Sequence, residues 1–533
     1  MGLTGSQYSI IDHCSISWTI DEAFSSRGAK NITLQRTLIS EALNAAGHSN
    51  YPVGTEHGYA GSIGGDVGSF HHNLLAHCNG RNWSMAGGLD GDSYYAGRLD
   101  LFNNIVYNWG SRATDGGAHE VNFVGNYYKK GAATTQGIIL KADLEGTGNG
   151  SQSYYTHGNI VENTNGTFAC DGTNDACSRT ITTSNGQVVD WEVFVDESFF
   201  PSEATVHSAD YAYKLVLSDV GSTQPVFDEH DIRIIDETLN GTYSCKGSYT
   251  HKPGLPDHEQ DINGWETYPG NLRDANWDTD LDGLPDWWEN VIGTNPNSAE
   301  GDFSETNADE DLNGYTNLEE FLQWMGRPHY FINADDSIDI NLSMYTKGFT
   351  MEPEFQVSSV VNGTVTTVSS DTLINFAPDS VGLGEFNFTV TDSTGSSLTQ
   401  KIGFYIGTVP QDSTFDYSYF LLRDKSKIAT VNSKENTTDI EINSLEGVET
   451  ISDIQLYPNP ATNVLNISFN SGLDTRATVK VLDITGGVLI ENEYEVAPSL
   501  NKLSIDLPEL KQGVYLLLLQ SDKLNSCLRF IKE

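Results

Sequence analysis

Basic residues are scarce in this chain. Across 533 residues there are 29 Lys and Arg against 73 Asp and Glu, a formal charge of −44. A nucleic-acid or anionic-membrane surface needs a basic footprint, so both partners are excluded as primary functions. Cysteine is sparse too: six in the whole chain, too few for a disulfide-built scaffold. No apolar run is long enough to span a bilayer as a helix. Long helical patterns, Met and Lys are also few. The opening MGLTGSQYSIIDHCS has neither the basic nor the apolar region of a signal peptide. The rest reads as extracellular, so the expectation is a truncated N-terminus whose signal peptide has been lost.

What is abundant is Gly (51), Tyr (24), Asn, Ser and Thr. That composition favours short strands and turns, so the class is mainly β. The length asks for several domains. Residues 1–270 carry a recurring unit, a short apolar strand with an embedded polar residue: SIIDHCSISW, FHHNLLAHC, LFNNIVYNW, VNFVGNYY, YTHGNIVEN. With His13, Asn73, Asn104, Asn126 and Asn159 as markers, the steps from Asn73 onward are 31, 22 and 33 residues. A fixed coil with variable insertions predicts a parallel β-helix, incomplete at its start. The embedded amide would bond the backbone at each turn and stack on the Asn of the next coil. Of the cysteines, Cys170 and Cys177 in CDGTNDAC are the expected pair, while Cys14 and Cys78 read as buried thiols.

Residues 271–329 differ. Asp278, Asp280, Asp282, Gly283 and Glu289 fit D-x-D-x-D-G-x5-E, with Asp286 at position nine. Asp309, Asp311, Asn313, Gly314 and Glu320 repeat it, with Asn317 at position nine. Side chains at positions one, three and five converge on one ion, glycine turns the chain at six, and a bidentate Glu closes the shell. Calcium is the predicted occupant, with a structural role between domains. WWENVIG and LEEFLQWMG are the expected helices after each loop. Residues 330–410 alternate like a small Ig- or cadherin-like β-sandwich, 411–450 read as a polar linker, and 451–533 as a second sandwich.

Several motifs resemble known families. IDHCSISWTIDEAFSSRGAKNITLQRTLISEALN, HGYAGSIGG, SFHHNLLAHCNGRN and LDLFNNIVYNWG resemble, in order, pectate lyase family 1. The resemblance covers about Ser9 to Lys130. It implies a right-handed parallel β-helix that cleaves pectate, or polygalacturonate, by calcium-dependent β-elimination. Arg81 matches the family's base. Asp21 matches one calcium carboxylate, Glu22 is the second candidate and Asp12 a third with a structural role. His57, Tyr59, Arg98 and Arg112 are the expected substrate contacts. The sequence departs from the family in having Ser84 and Ala86 where further arginines stand, and no lysine at Asn44. The loop pair resembles dockerin-like or thrombospondin type 3 calcium repeats; a dockerin proper would take a cohesin-like partner. LYPNPATNVLNISF and QGVYLLLLQ resemble the type IX secretion sorting domain, which implies export by that machinery and release or attachment at the outer-membrane surface. A non-catalytic carbohydrate-binding or adhesive β-helix is the second reading. A hydrolase would need paired acids flanking the scissile bond, and no convincing pair was found.

Overall fold

The structure is a computed structural model. It describes residues 1–144, 146–186, 188–223, 228–264, 277–370, 372–407, 430–432, 451–457, 461–471, 475–482, 488–497, 500–507, 510–511, 513–521 and 524–532. The chain divides into two compact units, Met1–Lys434 and Glu435–Glu533.

The first unit begins with a parallel β-helix. Three parallel sheets run along it, each gaining one strand per coil. The first sheet stacks Gln7–Asp12, Lys30–Gln35, Asp66–His71, Arg98–Phe102, Glu120–Val124, Ser153–His157 and Phe194–Val195. The second stacks Ser15–Ser17, Leu38–Ser40, Leu74–Ala76, Ile105–Tyr107, Tyr127–Lys129 and Ile160–Glu162, then closes on an antiparallel strand, Phe168–Asp171. The third stacks Phe24–Ser25, Gly61–Ile63, Ser84–Ala86, Thr114–Gly117, Leu140–Leu144 and Arg179–Thr183. Inward side chains such as Phe24, Phe70, Trp83, Leu101, Trp109 and Tyr154 fill the bore and are fully buried. Each large apolar residue buried this way contributes roughly 1.5–3 kcal/mol before the entropy of ordering is subtracted.

The asparagines form the expected ladder between the first and second sheets. Asn73 donates to Oδ1 of Asn104 at 3.0 Å, Asn104 to Asn126 at 3.1 Å and Asn126 to Asn159 at 3.0 Å. Asn159 donates to Asp175 at 2.8 Å, which ends the row. The second N–H of each amide reaches a backbone carbonyl: Leu34, Phe70, Leu101 and Phe123 in turn. Backbone N–H groups of the neighbouring coil donate to the same oxygens. Every amide is thus fully used, as burial of a polar group requires.

His13 does not belong to this row. Register places Cys14 and Thr37 beneath Asn73. His13 falls one residue earlier, in a corner column with Arg36, His72 and Asn103, all at positive φ (47°, 44°, 55° and 55°). The corner needs a left-handed residue, a conformation in which His and Asn are enriched. There His13 bonds Asp12 at 2.9 Å and Asp219 at 3.2 Å. Burial alone would lower its pKa, but these two carboxylates raise it to about 9.

The coils occupy Gln7–Val195 of the predicted 1–270 segment. Helices α1 (Ala209–Ser218) and α2 (Glu229–Asn240) follow and bury Val216, Leu217, Ile234 and Ile235 against the second sheet. A buried ion pair fixes α2: Arg233 donates to both oxygens of Glu41 at 2.8 Å, and Trp18 adds a third donor at 2.9 Å. Burial works to raise the Glu41 pKa, but Arg233 holds it below the usual carboxylate range. Such a charge is tolerated inside only because it is paired.

Helices α3 (Asp286–Ile292) and α4 (Asn317–Gly326) follow the two acidic loops, as expected. Leu284, Trp288, Phe321 and Trp324 form a small core that also touches Phe331 and Tyr405 of the next domain. That domain is a sandwich of two four-stranded sheets, with Phe376, Phe386 and Phe404 at its centre. The expected linker, 411–450, lies outside the described residues except 430–432, which pair with Ser337–Asp339. The second unit has a three-stranded and a four-stranded antiparallel sheet around Leu465, Ile467, Val479, Leu517 and Phe530. Cys170 and Cys177 form a disulfide, Cys78 is buried and Cys14 is partly exposed.

Asn126→Ala would leave an amide and a backbone N–H of Asn104 without their acceptor in the β-helix interior. The expected cost is about 3 kcal/mol, read as a lower denaturant midpoint of the first unit. An exposed control, Asn165→Ala, should leave that midpoint in place.

Candidate active site

A polar cluster forms where four successive coils approach or enter the third sheet, and the face that carries it is called the groove. Asp21 and Glu22 precede Phe24–Ser25, Tyr59 precedes Gly61–Ile63, Arg81 precedes Ser84–Ala86, and Arg112 precedes Thr114–Gly117. Parallel register places Ser62 beside Ser84 and Ser84 beside Asp115. Residues 22 and 31 positions apart in sequence therefore stand one strand spacing apart, about 4.8 Å.

Arg81 is at the centre, and its side chain is 20% exposed. Its guanidinium pairs with Glu22 Oε1, lies 3.3 Å from Ser62 Oγ and sits 4.2 Å from the centre of the Tyr59 ring. Arg112 lies 5.7 Å from the same ring and is held by Asp115 through two hydrogen bonds, at 2.7 and 2.8 Å. Burial, then the nearby Arg112 charge, lowers the Arg81 pKa below its ordinary value. Arg81 and Asp21 both have positive φ, 53° and 109°, a strain of the kind that concentrates at functional sites. Arg81 Nε and Asp21 Oδ1 are buried without a hydrogen-bond partner among the described residues.

Two partners of this cluster were not singled out from sequence. Arg27 donates to Glu22 Oε1 and to Ser62 Oγ, both at 2.9 Å. Ser62 donates to Glu22 Oε1 at 2.8 Å. Their signal was weak: a lone arginine and a lone serine, made neighbours only by coil stacking. The other expected contacts are placed differently. His57 is buried, its Nε2 on the Ala46 carbonyl at 2.9 Å and its ring stacked on Tyr51. Its Nδ1 is buried without a hydrogen-bond partner among the described residues. Arg98 starts a strand of the first sheet and pairs with Asp66 at 2.7 Å, so it does not join the cluster.

The acidic loops have the local geometry their spacing predicted. Leu281 and Leu312, at position four, are left-handed at 59° and 58°, and Gly283 and Gly314 turn the chain at φ 100° and 95°. Oxygens of Asp278, Asp280 and Asp282 lie within 4.8 Å of one another. Asp280, Asp282 and Glu289 are buried, and Asp280 Oδ1 and Glu289 Oε2 lack a partner among the described residues. Burial, then the Asp280 and Asp282 charges, pushes Glu289 up to about 7. These orphaned oxygens fit a hard cation. Asp286 is turned away, bonding Thr279. The second loop is more exposed. Asn313 bonds Asp311 and Glu320 there, and backbone N–H groups of Asn313 and Gly314 donate to Asp309. Asn317 bonds the Glu305 carbonyl.

In the groove, Asp21 fits a cation ligand through its free buried oxygen. Glu22 fits less well, because Arg27, Arg81 and Ser62 converge on its Oε1.

Replacing Glu22 by Gln should keep an oxygen acceptor but remove the negative charge that Arg27 and Arg81 share. A stability loss of about 1–2 kcal/mol is expected at low salt, and it should shrink at high ionic strength as the freed cations are screened. A loss independent of salt would mean the charge is not the cause.

The chain is similar in sequence to curated pectate lyases. A probable pectate lyase C of Aspergillus flavus is 28% identical over 329 residues, 60% of this chain and 66% of that protein. A probable pectate lyase C of Emericella nidulans is 29% identical over 296 residues, 55% and 59% of the two chains. The chain thus spans less than two thirds of these relatives' length. A solved thermostable pectate lyase aligns at 14% identity over 42% of this chain and 63% of that one, with a TM-score of 0.26, too low to carry an argument. Residues 455–533 match the secretion system C-terminal sorting domain. The chain therefore joins a parallel β-helix similar in sequence to pectate lyases to a C-terminal sorting domain of the type IX secretion system.

Proposed function

We propose that the β-helix is a calcium-dependent polysaccharide lyase that cleaves pectate, or a related polyuronate, by β-elimination outside the cell. The observation that carries this reading is Arg81. It is desolvated, flanked by a second arginine and shifted toward its neutral form, which is what a proton acceptor needs. Neutral Arg81 would take the proton from the carbon α to the uronate carboxylate. The bond from the β carbon to the glycosidic oxygen then breaks as the double bond forms, and the leaving oxygen takes a proton from water. Tyr59 would hold the guanidinium plane in place, and Arg112 would meet a neighbouring sugar carboxylate. Asp21, with Glu22 beside it, would hold calcium against the uronate carboxylate, where the ion withdraws charge and acidifies the α carbon. The sorting domain supports export by the type IX machinery and a place outside the cell or on its surface.

The second role for calcium is structural. Asp278, Asp280, Asp282 and Glu289 would hold one ion, and Asp309, Asp311, Asn313 and Glu320 another, beside the aromatic core that joins this module to the sandwich.

Unsaturated product should appear by ultraviolet absorbance when the full chain meets polygalacturonate with calcium. Arg81→Ala should abolish it, with the fold retained by circular dichroism. The rate should rise with pH, because the neutral fraction of Arg81 grows as pH approaches its lowered pKa. No product from the unchanged chain on any polyuronate would sink the lyase reading and favour a carbohydrate-binding protein.

Calcium should raise the thermal midpoint of the first unit, and Asp280→Asn should remove most of that rise. An equal rise in the variant would show that the first loop is not the site.

A further inference from the structure

Beside the cluster around Arg81, a second cation reaches the same row of turns from far along the chain. Lys252 pairs with the Glu56 carboxylate. Glu56 also accepts from Asn79 Nδ2 at 3.0 Å, and its backbone carbonyl lies 3.5 Å from the Tyr59 hydroxyl. Asn79 stands two residues before Arg81 and accepts from Ser111, which precedes Arg112. Lys252, Glu56, Asn79, Tyr59, Arg81 and Arg112 are therefore one connected polar row crossing three coils.

Lys252 is presented by a braced strap. Lys246 and Pro253 bridge in antiparallel fashion, and Asp257 accepts from the backbone of Tyr249 and Thr250 at 2.9 and 2.7 Å. Pro256 accepts from the Asn44 backbone at 2.7 Å, and Pro253 from Asn108 at 3.1 Å. Gly254, at φ 76°, lies so close to His77 and Asn108 that a Cβ would sit 2.5 and 2.4 Å from their nitrogens. The strap is thus anchored without Lys252. The Lys252–Glu56 pair is part-exposed, 27% and 35%, and such pairs contribute little to stability. A rigid mount for a part-exposed cation suits binding.

The row is nearly neutral although the chain carries −44. Arg27, Arg81, Arg112 and Lys252 each face a carboxylate of the protein itself: Glu22, Asp115 or Glu56. We propose that Lys252 and Glu56 form a carboxylate-exchange subsite. Glu56 holds Lys252 in the free protein as a sugar carboxylate would, and a carboxylate-bearing glycan displaces it. This rests on the reading of the groove as a polyuronate site, and it adds a cation and an internal competitor. Removal of the cation and removal of the competitor then have opposite effects on affinity.

The test is calorimetric titration of the full chain with a galacturonate hexamer at low ionic strength. Lys252→Met should weaken binding about fivefold, with Lys252→Arg restoring most of it, and Glu56→Gln should tighten it about threefold. Both effects should shrink with salt, and the thermal midpoints should stay near that of the unchanged protein. Lys252→Met binding like the unchanged chain overturns the subsite, as does Glu56→Gln binding more weakly. Turnover of polygalacturonate without any Lys252 effect sinks the subsite alone. Binding that depends on Lys252 in a chain yielding no unsaturated product sinks the lyase reading and leaves the subsite standing. A chain that binds no hexamer overturns both.

Discussion

The first unit depends on one interaction, the buried amide-to-amide hydrogen bond that repeats from Asn73 to Asn159. Each asparagine has a single position at which its two donors and its oxygen are all satisfied. A coil displaced by one residue would bury an unpaired amide and turn its apolar side chains outward. The ladder therefore fixes how each coil sits on the next, although the loops between them differ in length. The corner column of left-handed residues, His13 to Asn103, is the geometric companion of that register.

The groove inherits its order from this stacking. Glu22, Ser62, Arg81 and Asp115 come from four coils, and none is near another in sequence. They meet because the third sheet is in register. The same register lets Arg81 lie on the Tyr59 ring while Arg112 approaches from the next coil. Charge in the groove is arranged with economy: an acidic protein keeps its cations there by pairing each with its own carboxylate. That pairing avoids a cost of exposed like charges and leaves the cations in place for an anionic ligand. The acidic loops are a separate electrostatic device. Their acids are crowded and partly buried, with Glu289 pushed up to about 7, so the acids there favour a cation for their own stability.

Much of this was legible in the sequence, and the reason differs by feature. The turn of the acidic loops could be read because the motif spans twelve consecutive residues and the backbone geometry is local, although Asp286 and Asn317 bond elsewhere. The asparagine repeat was legible because burial forces the same polar residue into every coil. His13 misled because a polar residue in an apolar strand is also what a left-handed corner selects, and the two columns are adjacent. His57 misled because an imidazole beside the motif looks the same whether it meets ligand or, as here, Tyr51 and a backbone carbonyl.

By itself, the sequence determined the coil, the loop pair and the two sandwiches, since each of these is written in short-range spacing or in side chains with one workable environment, whereas Arg81 stood out through a family resemblance alone. Tertiary structure alone decided which residues surround Arg81. Arg27, Ser62 and Glu22 converge through register, Lys252 arrives on a strap nearly 200 residues from Glu56, and Arg98 departs to another sheet. Electrostatics at a site depends on distance through space and on exclusion of water, and neither follows from distance along the chain.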